Sequence, residues 1–198
     1  MFQGALALAL HKQNKSEVYL DISHFEQFQT HQGFELQRLF ALDLPIASDT
    51  QLKSVLGWKH SKVGQNIMER KRLSFLRSTN YYKEDCSPFS EDVFRLNDPC
   101  YIVGFWQNER YFSHIEHVIR DKFRFDPPLT GKNTQLASLA SDGIPVSLHV
   151  RRGDYVGNSA FHGLLGRSFY LRAMKYIEQQ LTNPTYFVFS DDLDWVRS

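Results

Sequence analysis

Two arginines and an aspartate follow directly on a strand-forming run in Val146-Ser147-Leu148-His149-Val150-Arg151-Arg152-Gly153-Asp154. Paired guanidinium groups beside a glycine turn suit a ligand with several anionic oxygens, because each guanidinium donates two parallel N–H bonds. A diphosphate is such a ligand, and the same groups stabilise charge that develops on a departing diphosphate. A cluster of opposite sign, Asp191-Asp192, follows a second apolar run at 186–190. A carboxylate can accept side by side from the N1–H and N2–H donors of guanine. The two clusters together match a guanosine diphosphate derivative.

Plainer readings compete for the same residues. Arg151 to Asp154 could be a surface turn closed by internal ion pairs, and Asp191-Asp192 could cap a helix beginning at Leu193. A metal role for the aspartates lacks a surrounding ligand pattern. Arg152-Gly153-Asp154 also spells a cell-adhesion tripeptide, but it follows a strand expected to be buried. His114 and His117 stand one helical turn apart beside Glu116, a spacing that can bind zinc but here is expected to be a solvated helix face.

The elements that position these groups form a strand–helix–strand pattern. Alternation of apolar and polar residues predicts a strand over 144–150, followed by a glycine-rich loop over 151–167. Ser168 is expected to cap a helix whose inner face is Tyr170, Ala173, Met174, Ile177 and Leu181. Asn183-Pro184 ends that helix, and a second strand runs over 186–190. Strands joined through a helix are parallel, and open parallel sheets bind ligands at the carboxyl ends of their strands. Arg151 and Asp191 stand at those ends.

Upstream, a buried helix is expected from Phe2 to Gln13 and a strand over 17–23 with Asp21 and Ser23 at its far end. Residues 50–72 read as a helix on Leu52, Val55, Leu56, Val63 and Ile67, and 73–98 as mostly loop. A strand over 100–107 runs into an aromatic turn, and a helix follows over 109–123 with Tyr111, Ile115, Val118 and Ile119 on one face. The Pro127-Pro128 break places a domain boundary within 124–144, and the chain is divided as 1–135 and 136–198.

Composition narrows the class. The 198 residues are 42% hydrophobic and 14% aromatic, enough for a core and unlike a disordered segment. With 23 basic and 22 acidic residues the net charge is +1, which argues against a polybasic nucleic-acid surface. Cys86 and Cys100 form neither a zinc site nor a disulfide framework, so a reducing compartment is expected. The apolar opening from Gly4 to Leu10 is too short for a membrane span and lacks the basic flank of a signal peptide.

These residues resemble a known family. Leu148 to Tyr155, "LHVRRGDY", resembles the His-x-Arg-Arg-x-Asp signature shared by alpha-1,2-, alpha-1,6- and protein O-fucosyltransferases. The segment "GFWQNERYFSHIEHVIRDKFRF" is similar to the Gly-Tyr-Trp-Gln-Ser-Glu-Lys-Tyr-Phe stretch of the alpha-1,2 branch, with Phe105 where tyrosine is usual. "FSDDLDW" looks like its Phe-Ser-Asp-Asp-x-x-Trp element. "MFQGALALAL" and "VYLDISHFE" resemble the end of its opening glycine motif and its first strand. The matches occur in order and cover most of the chain.

The resemblance implies an α/β protein of GT-B type. Its two Rossmann-like domains would be an acceptor-side domain at 1–135 and the first part of a GDP-fucose-binding domain at 136–198. It implies transfer of L-fucose from GDP-β-L-fucose to a galactoside hydroxyl with inversion, GDP-fucose being a co-substrate and no cofactor or metal being needed. The donor positions are His149, Arg151, Arg152, Asp191 and Asp192, with Arg151 on the β-phosphate and Asp154 as a possible base. Asp21, Trp106 and Gln107 are the acceptor-side positions. The family's opening glycine loop and its later Phe-Ser-Trp-Trp segment find no counterpart here. A fragment truncated at both ends, with little activity alone, is therefore expected. The expected location is the bacterial cytoplasm, with peripheral membrane association or a lost N-terminal anchor left open. Fucosyl transfer in another linkage, and a non-catalytic glycan- or nucleotide-sugar-binding protein of the same fold, are the alternatives.

Overall fold

The computed structural model describes residues 1–26, 33–61, 63, 64, 67, 80–84, 89–157 and 163–198. The chain divides into two compact units, Met1–Pro127 and Pro128–Ser198. Both are mixed α/β, each with a small two-stranded parallel sheet, and the described strands close no barrel.

In the first unit, helix α1 (Phe2–Asn14) is apolar nearly all round and is accordingly buried on several sides, from Gly4 through Leu10. Leu6 and Leu10 pack with Val93, Trp106 and Tyr111, while Ala7 packs with Leu42 and Leu44. Each such leucine contributes about 1.5–3 kcal/mol on burial. Gly4 sits where a Cβ would lie 2.8 Å from the end of the Leu36 side chain on helix α2 (Leu36–Leu39), so any side chain here would have to displace that leucine.

Several expectations for this unit are corrected. Within 17–23 only Leu20 pairs, in a parallel bridge to Ile46. The extended run stops because the Asp21 carboxylate accepts from the Ser23 amide at 2.9 Å, turning the chain into the 3₁₀ segment Ser23–Glu26. The helix expected over 50–72 is interrupted: residues 63, 64 and 67 are helical again, and 62, 65, 66 and 68–72 lie outside the described residues. Helix α3 (Asp49–Leu56) starts at a Ser48–Gln51 capping box and ends at Gly57, whose φ of 56° suits glycine. Val63 is 70% exposed rather than on a core face.

The stretch 73–98 is not all loop. Strand β1 (Tyr81–Lys83) pairs in parallel with β2 (Tyr101–Val103), Tyr81 opposite Tyr101. Residues 73–79, and Cys86 with its neighbours at 85–88, lie outside the described residues. The helix expected over 109–123 is broken into two 3₁₀ turns, Glu109–Tyr111 and Ser113–Ile115, ahead of helix α4 (Glu116–Lys122). Phe112 makes the break with φ −142° and ψ 6°. Tyr111 and Ile115 are both 1% exposed, as their place on the inner face requires.

The second unit opens with helix α5 (Lys132–Ser141), an element not foreseen, and the division at 135/136 falls inside it. Strand β3 (Ile144–Val150) pairs in parallel with β4 (Pro184–Ser190), from Ile144 opposite Pro184 to Val150 opposite Ser190. Helix α6 (Arg167–Gln180) connects them. Its face of Tyr170, Ala173, Met174 and Ile177, with Leu181 just beyond, is the inward one. The Tyr186 hydroxyl of β4 donates to the Met174 carbonyl at 3.0 Å. Ser168 is not the cap: Gly166 precedes the first helical residue, and Ser168 lies within the first turn.

Candidate functional site

The strand ends of the second unit gather most of the residues expected on the donor side. Val150, 2% exposed, anchors the end of β3, and His149 points to the opposite, exposed face. Arg152 then reaches across to the end of β4. Its backbone N–H donates to Asp191 Oδ1 at 2.7 Å and its Nε donates to Asp192 Oδ2 at 3.0 Å. The same guanidinium stacks 4.2 Å over the ring of Trp195, which meets Tyr170 edge-on.

Asp192 also accepts from the Trp195 amide at 3.1 Å, capping helix α7 (Leu193–Arg197). The helix-cap reading is therefore present, while the ion pair of Arg152 runs across to the neighbouring strand end rather than closing the turn at 151–154. The Arg152 and Gly153 amides hold the Asp191 carboxyl below the usual carboxylate range. Gly153 lets the chain pass close to this carboxylate, since a Cβ would come within 2.8 Å of Asp191 Oδ2 and displace it.

Arg151 is exposed, with its guanidinium 5.0 Å from the Tyr155 ring. Asp154 falls in the 3₁₀ turn Gly153–Tyr155, and its side chain lies outside the described residues. This arrangement offers an exposed guanidinium on a strand end whose second arginine is tied to the neighbouring strand.

The residues expected on the acceptor side lie in the first unit. A cavity of about 1450 Å³ lies within the first unit and is lined by Asp21, Trp106 and Gln107 among others. Asp21 accepts from the Tyr101 hydroxyl at 2.6 Å. Burial would raise its pKa, but hydrogen bonds from Tyr101 and Ser23 outweigh it and leave the carboxylate low. Burial and the Asp21 carboxylate together push the Tyr101 hydroxyl far above its ordinary range. Asp21 is thus a fixed anion in the cavity wall, suited to accept from hydroxyls.

Trp106 is 2% exposed and packs on Tyr82 and Tyr111, so it mainly builds the wall. Gln107 is exposed. Sequence reasoning missed Glu84, whose Oε2 accepts from the amides of Phe105 at 2.7 Å and Trp106 at 2.9 Å. Only Gly104 hinted at this contact, since a Cβ there would lie 2.5 Å from Glu84 Cβ.

His114 lies edge-on to Phe94, and His117 contacts Lys12. Among the described residues no group of three His, Cys, Asp or Glu side chains is placed to hold a metal ion. Among the same residues no helix is long and apolar enough to cross a membrane.

Comparison with known proteins gives a consistent result. An alpha-1,2-colitosyltransferase from Escherichia coli is 30% identical over 207 residues, covering 100% of this chain and 66% of the relative. The O-antigen biosynthesis glycosyltransferase WbnK from Escherichia coli is 46% identical over 55 residues, 26% of this chain and 18% of that protein. Galactoside alpha-(1,2)-fucosyltransferase 1 from Plecturocebus brunneus is 30% identical over 119 residues, 54% of this chain and 32% of that protein. The chain therefore spans at most 66% of the length of these three relatives. No solved structure matches significantly. The family model for glycosyl transferase family 11 matches residues 3–198, and the chain belongs to that family.

Proposed function

We propose that the protein transfers L-fucose from GDP-β-L-fucose to a galactoside hydroxyl in alpha-1,2 linkage, with inversion. The observation that carries this reading is Arg151, exposed at the carboxyl end of β3 beside the Asp191-Asp192 end of the parallel strand β4. Membership of glycosyl transferase family 11 supports the reaction class, and the fucosyltransferase relatives support the sugar and linkage. The acceptor oxygen attacks the anomeric carbon while the bond to the β-phosphate oxygen breaks. GDP leaves with the bonding electrons, and the acceptor proton passes to a base, for which Asp154 is the family-matched position.

In this reading Arg151 grips the β-phosphate and stabilises its growing charge. His149 lies at the same donor position, and Asp191 or Asp192 accepts from guanine with the lone pairs left over from Arg152 and the backbone amides. Arg152 mainly fixes the two strand ends. The architecture that goes with this function is GT-B, two Rossmann-like domains, and the β3–α6–β4 unit supports it on the donor side. Charge neutralisation by arginine leaves no step that needs a cation, so most of the rate should survive EDTA.

A second reading is favoured by one observation: the relative matched across the whole chain is named for colitose transfer. Colitose lacks one hydroxyl that fucose carries. The intact protein should therefore be incubated with lactose and either GDP-fucose or GDP-colitose, with GDP release and glycosylated product both followed. Faster fucosylated product supports the first reading and faster colitosylated product the second. Binding of either donor without turnover would support a non-catalytic module.

A further inference from the structure

We propose that Phe105 is the stacking platform for the acceptor sugar, and that Glu84 is the positioning residue that holds it in place. This rests on the acceptor reading of the first unit's cavity, whose wall includes Phe105 along with Asp21 and Gln107. Phe105 is 75% exposed, although its neighbour Trp106 is 2% exposed. The contrast is built into the backbone. Trp106 adopts φ 57°, a left-handed conformation that bulky residues seldom take, and it turns its indole inward between Tyr82 and Tyr111. The preceding ring is left facing out.

Three further contacts hold the segment in this form. Glu84 Oε2 accepts from both the Phe105 and Trp106 amides, at 2.7 and 2.9 Å. Gln3 Nε2 donates to the Gly104 carbonyl at 2.8 Å. Gly104 itself has no room for a side chain against Glu84 and Trp106. A backbone in a rare conformation, clamped on both sides, to keep a large apolar ring in water is a costly arrangement for stability alone. Such strain persists where the exposed group is used.

The ring's chemistry names the occupant. A phenyl face carries the negative side of its quadrupole and favours partly positive hydrogens. A β-galactoside offers one face of C–H bonds and, around its rim, hydroxyls that can donate to Asp21 or bond to Gln107. Apolar contact on one side with a few placed polar groups is how small-molecule sites bind and orient a ligand. An aromatic side chain has only two χ angles to freeze, so a preset ring binds at low entropic cost.

The test uses sugar binding, which does not depend on turnover. Saturation-transfer NMR and titration with methyl β-D-galactopyranoside and lactose are run on the intact protein, the Phe105→Ala and Phe105→Trp variants, and Glu84→Ala, with GDP titrated in parallel. Phe105→Ala should weaken sugar binding by about tenfold or more and leave GDP affinity within about twofold, while Phe105→Trp restores most of the loss. In a folded Glu84→Ala protein the sugar affinity should fall as well, with GDP affinity unchanged. Sugar affinity within about twofold of the parent in a folded Phe105→Ala protein would overturn the platform while leaving the transferase reading intact. A parent that binds GDP but no galactoside would also overturn it, and one that binds neither would sink both.

Discussion

The Arg152 side chain donates through Nε to Asp192 Oδ2 at 3.0 Å, joining residues 40 apart in sequence across the ends of two parallel strands. The pair is largely shielded, with side-chain exposures of 18% and 31%. Arg152 is thereby committed to holding β3 against β4, and Arg151 is left as the arginine that faces solvent. In the proposed reading Arg152 organises the donor site and Arg151 binds the diphosphate.

Asp192 then carries two loads that can be separated. Asp192→Ala removes both the partner of Arg152 and the cap of α7, and should destabilise the protein by about 1–3 kcal/mol. Asp192→Asn keeps an acceptor for the Trp195 amide and should cost less. Urea titrations of both variants check this order. If Asp192 also reads guanine, Asp192→Asn will in addition narrow the preference for GDP over ADP, measured by calorimetry.

Acid should weaken the fold through two carboxylates. Asp191 is held low by the Arg152 and Gly153 amides. Asp21 is held low by Tyr101 and Ser23 despite its burial. A depressed folded-state pKa gives stability that is complete above the unfolded carboxylate value of about 4 and is lost as pH falls through the folded value. Stability measured by urea titration should decline below about pH 4, and Asp21→Asn should make that decline shallower. An unchanged slope would mean that Asp21 is not held low in the folded protein.

Gly104 should tolerate no side chain. A Cβ there would lie 2.5 Å from Glu84 Cβ and 2.8 Å from Trp106 Cε2. Gly104→Ala should cost about 1–3 kcal/mol through overpacking, read as a lowered denaturation midpoint.

The contrast between the two units shows which signals a sequence carries. The helix face of Tyr170, Ala173, Met174 and Ile177 was legible because one side packs on a sheet and the other meets water, which imposes a single period. Strand β3 was legible for the same reason, its Val146, Leu148 and Val150 alternating with more exposed neighbours. Strand β1 was not, because three residues, Tyr81 to Lys83, are too few to show a period and all are half-buried. The strand expected at 17–23 failed at Asp21, where a side-chain bond to a nearby amide outcompeted pairing.

The candidate site divides along the same line. Arg151, Arg152, Asp191 and Asp192 sit at element ends that the strand–helix–strand pattern already fixes, and so could be placed together from sequence. Glu84 could not, because its role depends on a backbone contact with Phe105 and Trp106, 21 and 22 residues away. Which of Phe105 and Trp106 faces outward depends on a single φ angle at Trp106, which composition does not encode.

The measurement that bears most directly on the central claim is steady-state kinetics of Arg151→Lys in the intact protein with GDP-fucose and lactose, with Arg152→Lys alongside and thermal melts on both. Lysine preserves the charge but not the planar, two-point grip on phosphate oxygens. Arg151→Lys should lower kcat/KM by at least about 100-fold, roughly 2.7 kcal/mol of transition-state stabilisation, without loss of melting temperature. Arg152→Lys should show the reverse balance, a clear loss of stability with a smaller loss of rate. A well-folded Arg151→Lys protein within about threefold of the parent would contradict the account, because the exposed arginine would then not grip the leaving diphosphate.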